Sequence, residues 1–138
     1  YEPILVMSKP GDFKMTDKQK EQNKLNWKAF QPYGDDVWYI PADSSMSDKH
    51  PAVFPLGLPK LFLQLYSLKG ELVLDCFGGA GTTMMAARIL RRNCIMYEIN
   101  PKYIQLSLER CGFAKSTQYT LGIFEPSLKT EDIIEVIK

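Results

Sequence analysis

The fold of this 138-residue chain is decided by one stretch, Leu72-Val73-Leu74-Asp75-Cys76-Phe77-Gly78-Gly79-Ala80-Gly81-Thr82-Thr83. Residues 72–74 form a compact apolar run that predicts a strand, and a helix is expected to begin near Thr82. Glycines at a strand-to-helix turn let the backbone approach a ligand closely and leave helix N–H groups directed at it. The stretch therefore predicts a ligand-binding turn between a strand and a helix.

The chain continues from this turn through a second strand and a second helix. The second strand is expected over Cys94–Tyr97, closed by Glu98, and the second helix from Asn100-Pro101 through Leu108. The first helix is expected to bury the apolar residues Met85, Ala86, Ile89 and Leu90. Strands and helices that alternate with short connections indicate a parallel sheet, so the predicted fold class is α/β.

The segment before this unit carries less regular patterns. Ile4–Met7 is a short apolar run that predicts a buried strand, whereas residues 9–28 hold six lysines and few large apolar residues and predict a loop. The lysines fit contacts with nucleic-acid phosphates, but a solvated charged loop explains them equally well. A helix opened by Pro59 is expected to end at Lys69-Gly70. Its apolar face comprises Leu61, Phe62, Leu65 and Tyr66.

The C-terminal region and the composition add limits. A strand is expected over Tyr119–Ile123 and a terminal helix over Glu131–Ile137. No apolar run approaches the roughly 18 residues of a membrane span, and no signal peptide is visible. The three cysteines are odd in number and show no CxxC spacing, which argues against a disulfide framework or a zinc site and favours the cytoplasm. The net charge of +1 favours no partner class.

An acid follows the glycine turn at a spacing that suggests a ribose. Glu98 lies 23 residues beyond Asp75, near the distance of roughly 20 at which an acid ends the next strand and binds ribose hydroxyls. Met84 stands where the dinucleotide fingerprint needs a small residue, and no Gly-Lys-Ser/Thr follows the glycines. Asp75 suits a cationic ligand such as S-adenosylmethionine. The alternative is a tight turn that Asp75 caps without any ligand.

Residues 75–83 resemble the D-P-F-x-G-S-G-T-T signature of DNA N6-adenine and N4-cytosine methyltransferases. Residues 97–104 are similar to that family's G-x-E-x-x-x-x-Y-x segment, residues 49–55 to its H-P-A-x-F-P loop, and residues 36–41 to the D-V-W-x-I-P before that loop. Residues 1–9 are similar to the strand before the family's recognition region. This order corresponds to the circularly permuted beta group, and the similarity covers most of residues 1–110.

The resemblance implies a Rossmann-like methyltransferase fold, here incomplete, with a mostly parallel sheet flanked by helices and S-adenosylmethionine as cofactor. Thr82 would donate a hydroxyl hydrogen bond to it, and Glu98 would hold the ribose hydroxyls. Ile99 would border the adenine or lie in the core. The turn residues that would line the methionine and ribose portions are Asp75, Phe77, Gly78, Gly79, Ala80 and Gly81. The residues that would form the opposite wall are His50, Pro51 and Phe54.

The resemblance also implies a division of the chain. Residues 1–8 would be a strand of the catalytic subdomain, residues 9–35 a lysine-rich loop left from the recognition region, and residues 36–138 the S-adenosylmethionine-binding subdomain. Two positions depart from the signature, since Cys76 replaces its proline and Ala80 its serine. Cys76 is not expected to act as a nucleophile, because the neighbouring Asp75 disfavours a thiolate.

The family's catalytic tetrapeptide, D/N/S-P-P followed by an aromatic residue, is not found in this sequence. No Pro-Pro occurs, and Gln31-Pro32-Tyr33 is interpreted as a turn. The chain is therefore expected to contribute no catalytic residue and to need a catalytic segment upstream of Tyr1, in cis or in trans. The expected activity is methylation of a base amino group in DNA, adenine N6 favoured. The alternatives are cytosine N4, an RNA or protein substrate, and a non-catalytic cofactor-binding module. DNA is the expected partner, a homodimer is an open alternative, and no membrane is involved.

Overall fold

A computed structural model describes residues 3–31, 37–41, 53–113 and 123–124. No helix in this part of the chain is long and apolar enough to cross a membrane. The elements in chain order are α1 Asp17–Gln22, α2 Trp27–Phe30, α3 Gly57–Tyr66, β1 Leu72–Asp75, α4 Thr82–Leu90, β2 Asn93–Met96, α5 Pro101–Arg110 and β3 Ile123–Phe124.

The described strands form one sheet in the order β1-β2-β3. β1 and β2 are parallel, with a register that runs from Leu72 opposite Asn93 to Asp75 opposite Met96. β3 pairs with β2 in the antiparallel direction. Two parallel strands require a crossover, and α4 supplies it. The predicted α/β order of strand, helix, strand and helix is confirmed, with boundaries within one or two residues of those expected.

The core lies between the sheet and helices α3, α4 and α5. Ala86 and Ala87 are fully buried, and because they carry only a methyl group they let α4 approach its neighbours closely. The buried side of α4 also differs from the predicted one, because Met84 is buried whereas Ile89 is exposed. The buried residues of the main cluster are Leu63, Met84, Ala86, Ala87, Cys94, Met96 and Cys111.

Helix α3 begins at Gly57, earlier than the predicted start at Pro59. Its buried residues are Pro59, Leu61 and Leu63, whereas Leu65 and Tyr66 of the predicted apolar face are exposed. Tyr66 instead stacks on Phe62 at a ring distance of 5.8 Å. These two rings line an open apolar cavity of about 510 Å³ that also involves Ile4, Val6 and Phe54.

The N-terminal region differs from its prediction in two ways. Residues 4–7 have exposed side chains and form no regular strand, because none of the strands in the described ranges pairs with them. Residues 9–28 are not a continuous loop, since α1 begins after Thr16. The Thr16 hydroxyl accepts from the Gln19 N–H, and the Gln19 side chain accepts from the Thr16 N–H. This capping box starts a helix within the lysine-rich segment.

A buried arginine joins α3 to the start of β2. Arg92 is only 3% exposed, and its guanidinium donates to the carbonyl oxygens of Leu63, Ser67 and Leu90 and to the Ser67 hydroxyl. Burial lowers the pKa of Arg92, and the Glu71 carboxylate opposes that shift. Ser67 and Leu90 lie at the ends of α3 and α4, where helix carbonyls lack intrahelical partners, so Arg92 satisfies these two carbonyls from within the fold. The Leu63 carbonyl also accepts from the Ser67 N–H and hydroxyl.

The C-terminal predictions are tested in only one place. Ile123 belongs to β3, in agreement with the strand expected there. Residues 119–122 and the helix expected over 131–137 lie outside the described residues. The division of the chain into three parts stays a prediction.

Candidate functional site

The glycine turn lies at the carboxyl ends of both parallel strands. Beyond the strands, the Tyr97 N–H donates to the Asp75 carbonyl at 2.9 Å and the Gly78 N–H donates to the Tyr97 carbonyl at 2.8 Å. The Gly81 N–H then donates to the Gly78 carbonyl at 2.8 Å, which closes the turn immediately before α4. In open parallel sheets, ligands bind in the crevice outside the carboxyl ends of the strands, which is where this turn lies.

Asp75 shapes the entry to the turn. Its Oδ1 accepts from the Phe77 N–H at 3.0 Å, the local hydrogen bond by which aspartates stabilise turns. The contact is the one expected of a capping residue, and it uses one carboxylate oxygen. Whether Asp75 also binds a ligand stays a prediction.

Glu98 connects the turn to the helix that follows β2. Its Oε2 accepts from the Gly79 N–H at 2.7 Å and its Oε1 accepts from the Asn100 N–H at 2.8 Å. Asn100 in turn caps α5, because its side chain accepts from the Lys102 N–H. A carboxylate has about four lone-pair sites, so each oxygen of Glu98 keeps acceptor capacity for a ligand hydroxyl.

Two glycines of the turn are required by packing inside the protein. A Cβ on Gly78 would overlap the side chain of Met96. A Cβ on Gly81 would lie 2.6 Å from the Cβ of Ser107, and Gly81 has φ of +76°, a left-handed conformation that strains other residues. Gly79 is also left-handed, with φ of +50°. The glycine signature thus reflects close contact of the turn with β2 and α5, in addition to any contact with a ligand.

The end of the turn is held from the side of α5. Ala80 and Thr82 are buried. The Arg110 Nη1 donates to the Ala80 carbonyl at 2.7 Å and to the Thr82 Oγ1 at 3.2 Å. The Thr82 hydroxyl oxygen therefore accepts from the protein, and the hydroxyl hydrogen that it was expected to donate to a cofactor stays a prediction.

Two large apolar side chains beside the turn face solvent. Phe77 is 90% exposed and Ile99 is 98% exposed, so the alternative that Ile99 belongs to the core is wrong. Cys76, between Asp75 and Phe77, is exposed as well. Bulky apolar side chains at the tip of a turn gain stability only when something covers them.

Two of the three residues of the expected opposite wall are outside this part of the structure. His50 and Pro51 lie outside the described residues, and Phe54 lines the apolar cavity against α3. The residues that sequence reasoning missed are Ser107 and Arg110 of α5. Their contacts with the turn join positions about thirty residues apart, which no local pattern predicts.

The fold and the site define a class of protein. A parallel strand–helix–strand unit, a glycine turn at the strand end and an acid at the end of the next strand are the features of Rossmann-like domains that bind nucleoside-containing cofactors. A DNA methylase family model for N6/N4 methyltransferases matches residues 1–109. The chain therefore belongs to the N6/N4 DNA methylase family, as the motif resemblance predicts, and its fold is an incomplete Rossmann-like methyltransferase fold.

Individual relatives agree with this family. The chain is 43% identical over 107 residues to the type II methyltransferase M.BglI of Bacillus subtilis. The aligned region covers 78% of this chain and 29% of that protein. It is 31% identical over 115 residues to the type II methyltransferase M.MjaI of Methanocaldococcus jannaschii, and the aligned region covers 81% of this chain and 38% of that protein. The chain thus spans well under half the length of these curated relatives.

Solved structures match the fold. A protein of Thermus thermophilus assigned as a DNA modification methylase superposes with a TM-score of 0.63 at 31% identity, covering 81% of this chain and 50% of that one. The same protein complexed with S-adenosyl-L-methionine superposes with a TM-score of 0.62 at 30% identity, covering 80% and 47%. The cofactor expected from the sequence is the one present in that complex.

Proposed function

We propose that this chain binds S-adenosylmethionine at the glycine turn and is the cofactor-binding part of an enzyme that methylates a base amino group in DNA. The single observation that carries the proposal is the bond between Gly79 and Glu98. It joins the turn at the end of β1 to the acid at the end of β2, so the two parts of the candidate site are held together. Family membership supplies the reaction class.

The residues present fit this cofactor. Asp75 and Glu98 lie at the carboxyl ends of adjacent strands, where two carboxylates favour a ligand with an amino group and a sulfonium over one with a pyrophosphate. Each carboxylate retains acceptor capacity after its bonds to the backbone. The exposed side chains of Phe77 and Ile99 provide apolar surface for an adenosine moiety.

The role of the chain's own residues in the reaction is to bind and orient. When bound, S-adenosylmethionine supplies an activated methyl group on its sulfonium. Glu98 would hold the ribose hydroxyls and Asp75 the amino group of the methionine portion, so the two carboxylates would orient the part of the cofactor that carries the methyl group. Orientation of this kind can account for a large part of the rate of a transfer between two bound reactants.

The substrate side of the reaction is assigned to a catalytic segment in cis or in trans. Supporting this, Leu72 and Leu74 are each 59% exposed on β1, and in the described ranges β1 pairs with β2 alone. Side chains alternate along a strand, so both leucines share the face opposite Val73, which packs on the core. An apolar strand with an open edge favours addition of another strand and its helices. We favour adenine N6 as the target and the cytoplasm as the location.

Calorimetric titration with S-adenosylmethionine, S-adenosylhomocysteine and NAD tests the cofactor. We expect binding of the first two and none of NAD. Binding of NAD without a response to S-adenosylmethionine or S-adenosylhomocysteine would overturn the assignment.

Cysteine alkylation gives an independent measurement of the same site. Burial, and then the Asp75 carboxylate, raise the pKa of Cys94 to about 12, and burial raises that of Cys111 to about 11. Both thiols therefore stay protonated and shielded at pH 8, whereas the exposed Cys76 reacts. We expect S-adenosylhomocysteine to slow the alkylation of Cys76, measured by mass spectrometry. An unchanged rate at saturating ligand would place the cofactor away from the turn.

A further inference from the structure

The glycine turn is supported from behind by the last two turns of α5. Ser107 is fully buried, and its Cβ would lie 2.6 Å from a Cβ on Gly81. The Cys111 thiol approaches the Gly81 carbonyl at 3.9 Å. Arg110 lies between these positions on the helix and carries the one charge that α5 directs at the turn among the described contacts.

The guanidinium of Arg110 holds a specific peptide group. Its Nη1 donates to the Ala80 carbonyl at 2.7 Å, a short charge-assisted bond, and to the Thr82 Oγ1 at 3.2 Å. A trans peptide is planar, so a fixed Ala80 carbonyl also fixes the opposite direction of the Gly81 N–H. That N–H donates to the Gly78 carbonyl and closes the turn.

Two side chains thus restrain the turn from its two ends. Glu98 fixes the peptide between Gly78 and Gly79 through the Gly79 N–H, and Arg110 fixes the peptide between Ala80 and Gly81 through its carbonyl. The peptide between Gly79 and Ala80 is bonded by neither. Because Gly79 and Gly81 are both left-handed glycines, the backbone here has little intrinsic preference and relies on these bonds.

We propose that Arg110 is a positioning residue for the cofactor, one that keeps the glycine turn in its binding conformation without touching the ligand. This inference rests on the proposed S-adenosylmethionine site. In a chain without Arg110, the turn samples conformations that do not bind, and the apparent affinity falls by the fraction of molecules in the competent state.

The test compares three variants of the 138-residue chain by calorimetric titration with S-adenosylhomocysteine. Arg110→Met keeps the aliphatic packing of the side chain and removes its donors. We expect its Kd to rise about tenfold. Arg110→Lys restores a charged donor and is expected to recover most of the affinity. Arg88→Met is the matched control, because Arg88 lies over the Phe113 ring at the C-terminal end of α4.

If Arg110 had only a structural role, Arg110→Met would lower the Tm and leave the Kd unchanged, which is the pattern expected for Arg88→Met. For a positioning role, we expect Arg110→Met to raise the Kd by more than its loss of Tm explains. Amide hydrogen exchange measured without ligand should accelerate at Gly79 and Gly81 in Arg110→Met alone. If Arg110→Met fails to fold, Arg110→Gln, a polar side chain too short to replace the guanidinium, takes its place with the same expectation.

The outcomes separate the two proposals. A wild-type chain that binds, together with an unchanged Kd in Arg110→Met, overturns the positioning role and leaves the cofactor site intact. Arg110→Lys as weak as Arg110→Met also overturns it, because the donated hydrogen bond is then not what matters. A wild-type chain that binds NAD but neither S-adenosylmethionine nor S-adenosylhomocysteine overturns both proposals.

Discussion

The backbone N–H of Gly79 donates to the Glu98 carboxylate at 2.7 Å, so the acid assigned to the ribose is also part of the turn's own structure. The other Glu98 oxygen accepts from the Asn100 N–H at the start of α5. The proposed site therefore couples ligand binding and local stability through one side chain. A substitution of Glu98 is expected to change both.

Glu98→Ala should weaken binding of S-adenosylhomocysteine and destabilise the chain. Each lost charge-assisted hydrogen bond corresponds to roughly 1.5–3 kcal/mol, and two backbone N–H groups lose their acceptor. Glu98→Gln, which keeps one acceptor oxygen, should show a smaller loss of both. The measurements are calorimetric Kd and urea unfolding, with Glu109→Ala on the exposed face of α5 as control. Equal Kd values for Glu98→Ala and wild type would show that the ribose is bound elsewhere.

Gly78→Ala should destabilise the chain because its methyl group overlaps the Met96 side chain. Overpacking of a well-packed core costs roughly 1–3 kcal/mol. Met96→Ala removes the obstructing atoms, so the double variant should lose less stability than the sum of the two single variants. The measurement is a double-mutant cycle by urea unfolding. Additive losses would mean that Gly78 is required for a reason other than this contact.

Arg92→Met should be among the most destabilising substitutions in the chain. It removes the donors to the carbonyls of Ser67 and Leu90, and buried unsatisfied acceptors cost about 1–3 kcal/mol each. The Leu63 carbonyl keeps the Ser67 N–H and hydroxyl as donors. The neighbouring Arg91 provides the control. It is exposed with φ of +60°, so Arg91→Gly removes the same charge and relieves strain, and should keep or raise the free energy of unfolding. A smaller loss in Arg92→Met than in Arg91→Gly would contradict this assignment.

The sequence predicts the central unit because its signals are local. The apolar run, the glycines and the Asn100-Pro101 pair fix β1, the turn, α4 and α5 within a residue or two. α1 is not predicted, because the six lysines of residues 9–28 indicate a loop. The Thr16–Gln19 capping box, which is also a local signal, indicates the helix that the structure contains. The exposure of Tyr66 on α3 is not predicted, because it depends on which residues pack against Phe62 and Tyr66. The amphipathic pattern alone does not indicate those neighbours.

The site is predictable in part for the same reason. Asp75 and Glu98 are recognised by their positions after strands, and both lie at the turn. The contacts of Gly78 with Met96, and of Ala80 with Arg110, join residues that approach only after the sheet and α5 have formed. These tertiary contacts determine which glycines the turn requires.

The last prediction is that residues 1–138 alone transfer no methyl group to DNA. The sequence contains no D/N/S-P-P-aromatic tetrapeptide, whose acceptors would hold the amine and whose ring would stack on a flipped base. Without them nothing aligns the amine with the sulfonium carbon, and the lost stacking is worth roughly 1–3 kcal/mol by analogy with single strands. The measurement is incorporation of labelled methyl groups into unmethylated DNA.

Addition of a family catalytic segment that carries the tetrapeptide, in cis or as a second chain, should restore transfer, and base analysis then separates N6-adenine from N4-cytosine. A variant of that segment with alanines in the tetrapeptide is the matched control and should stay inactive. Turnover by residues 1–138 alone would place the chemistry within this chain, with Gln31-Pro32-Tyr33 as the first segment to substitute.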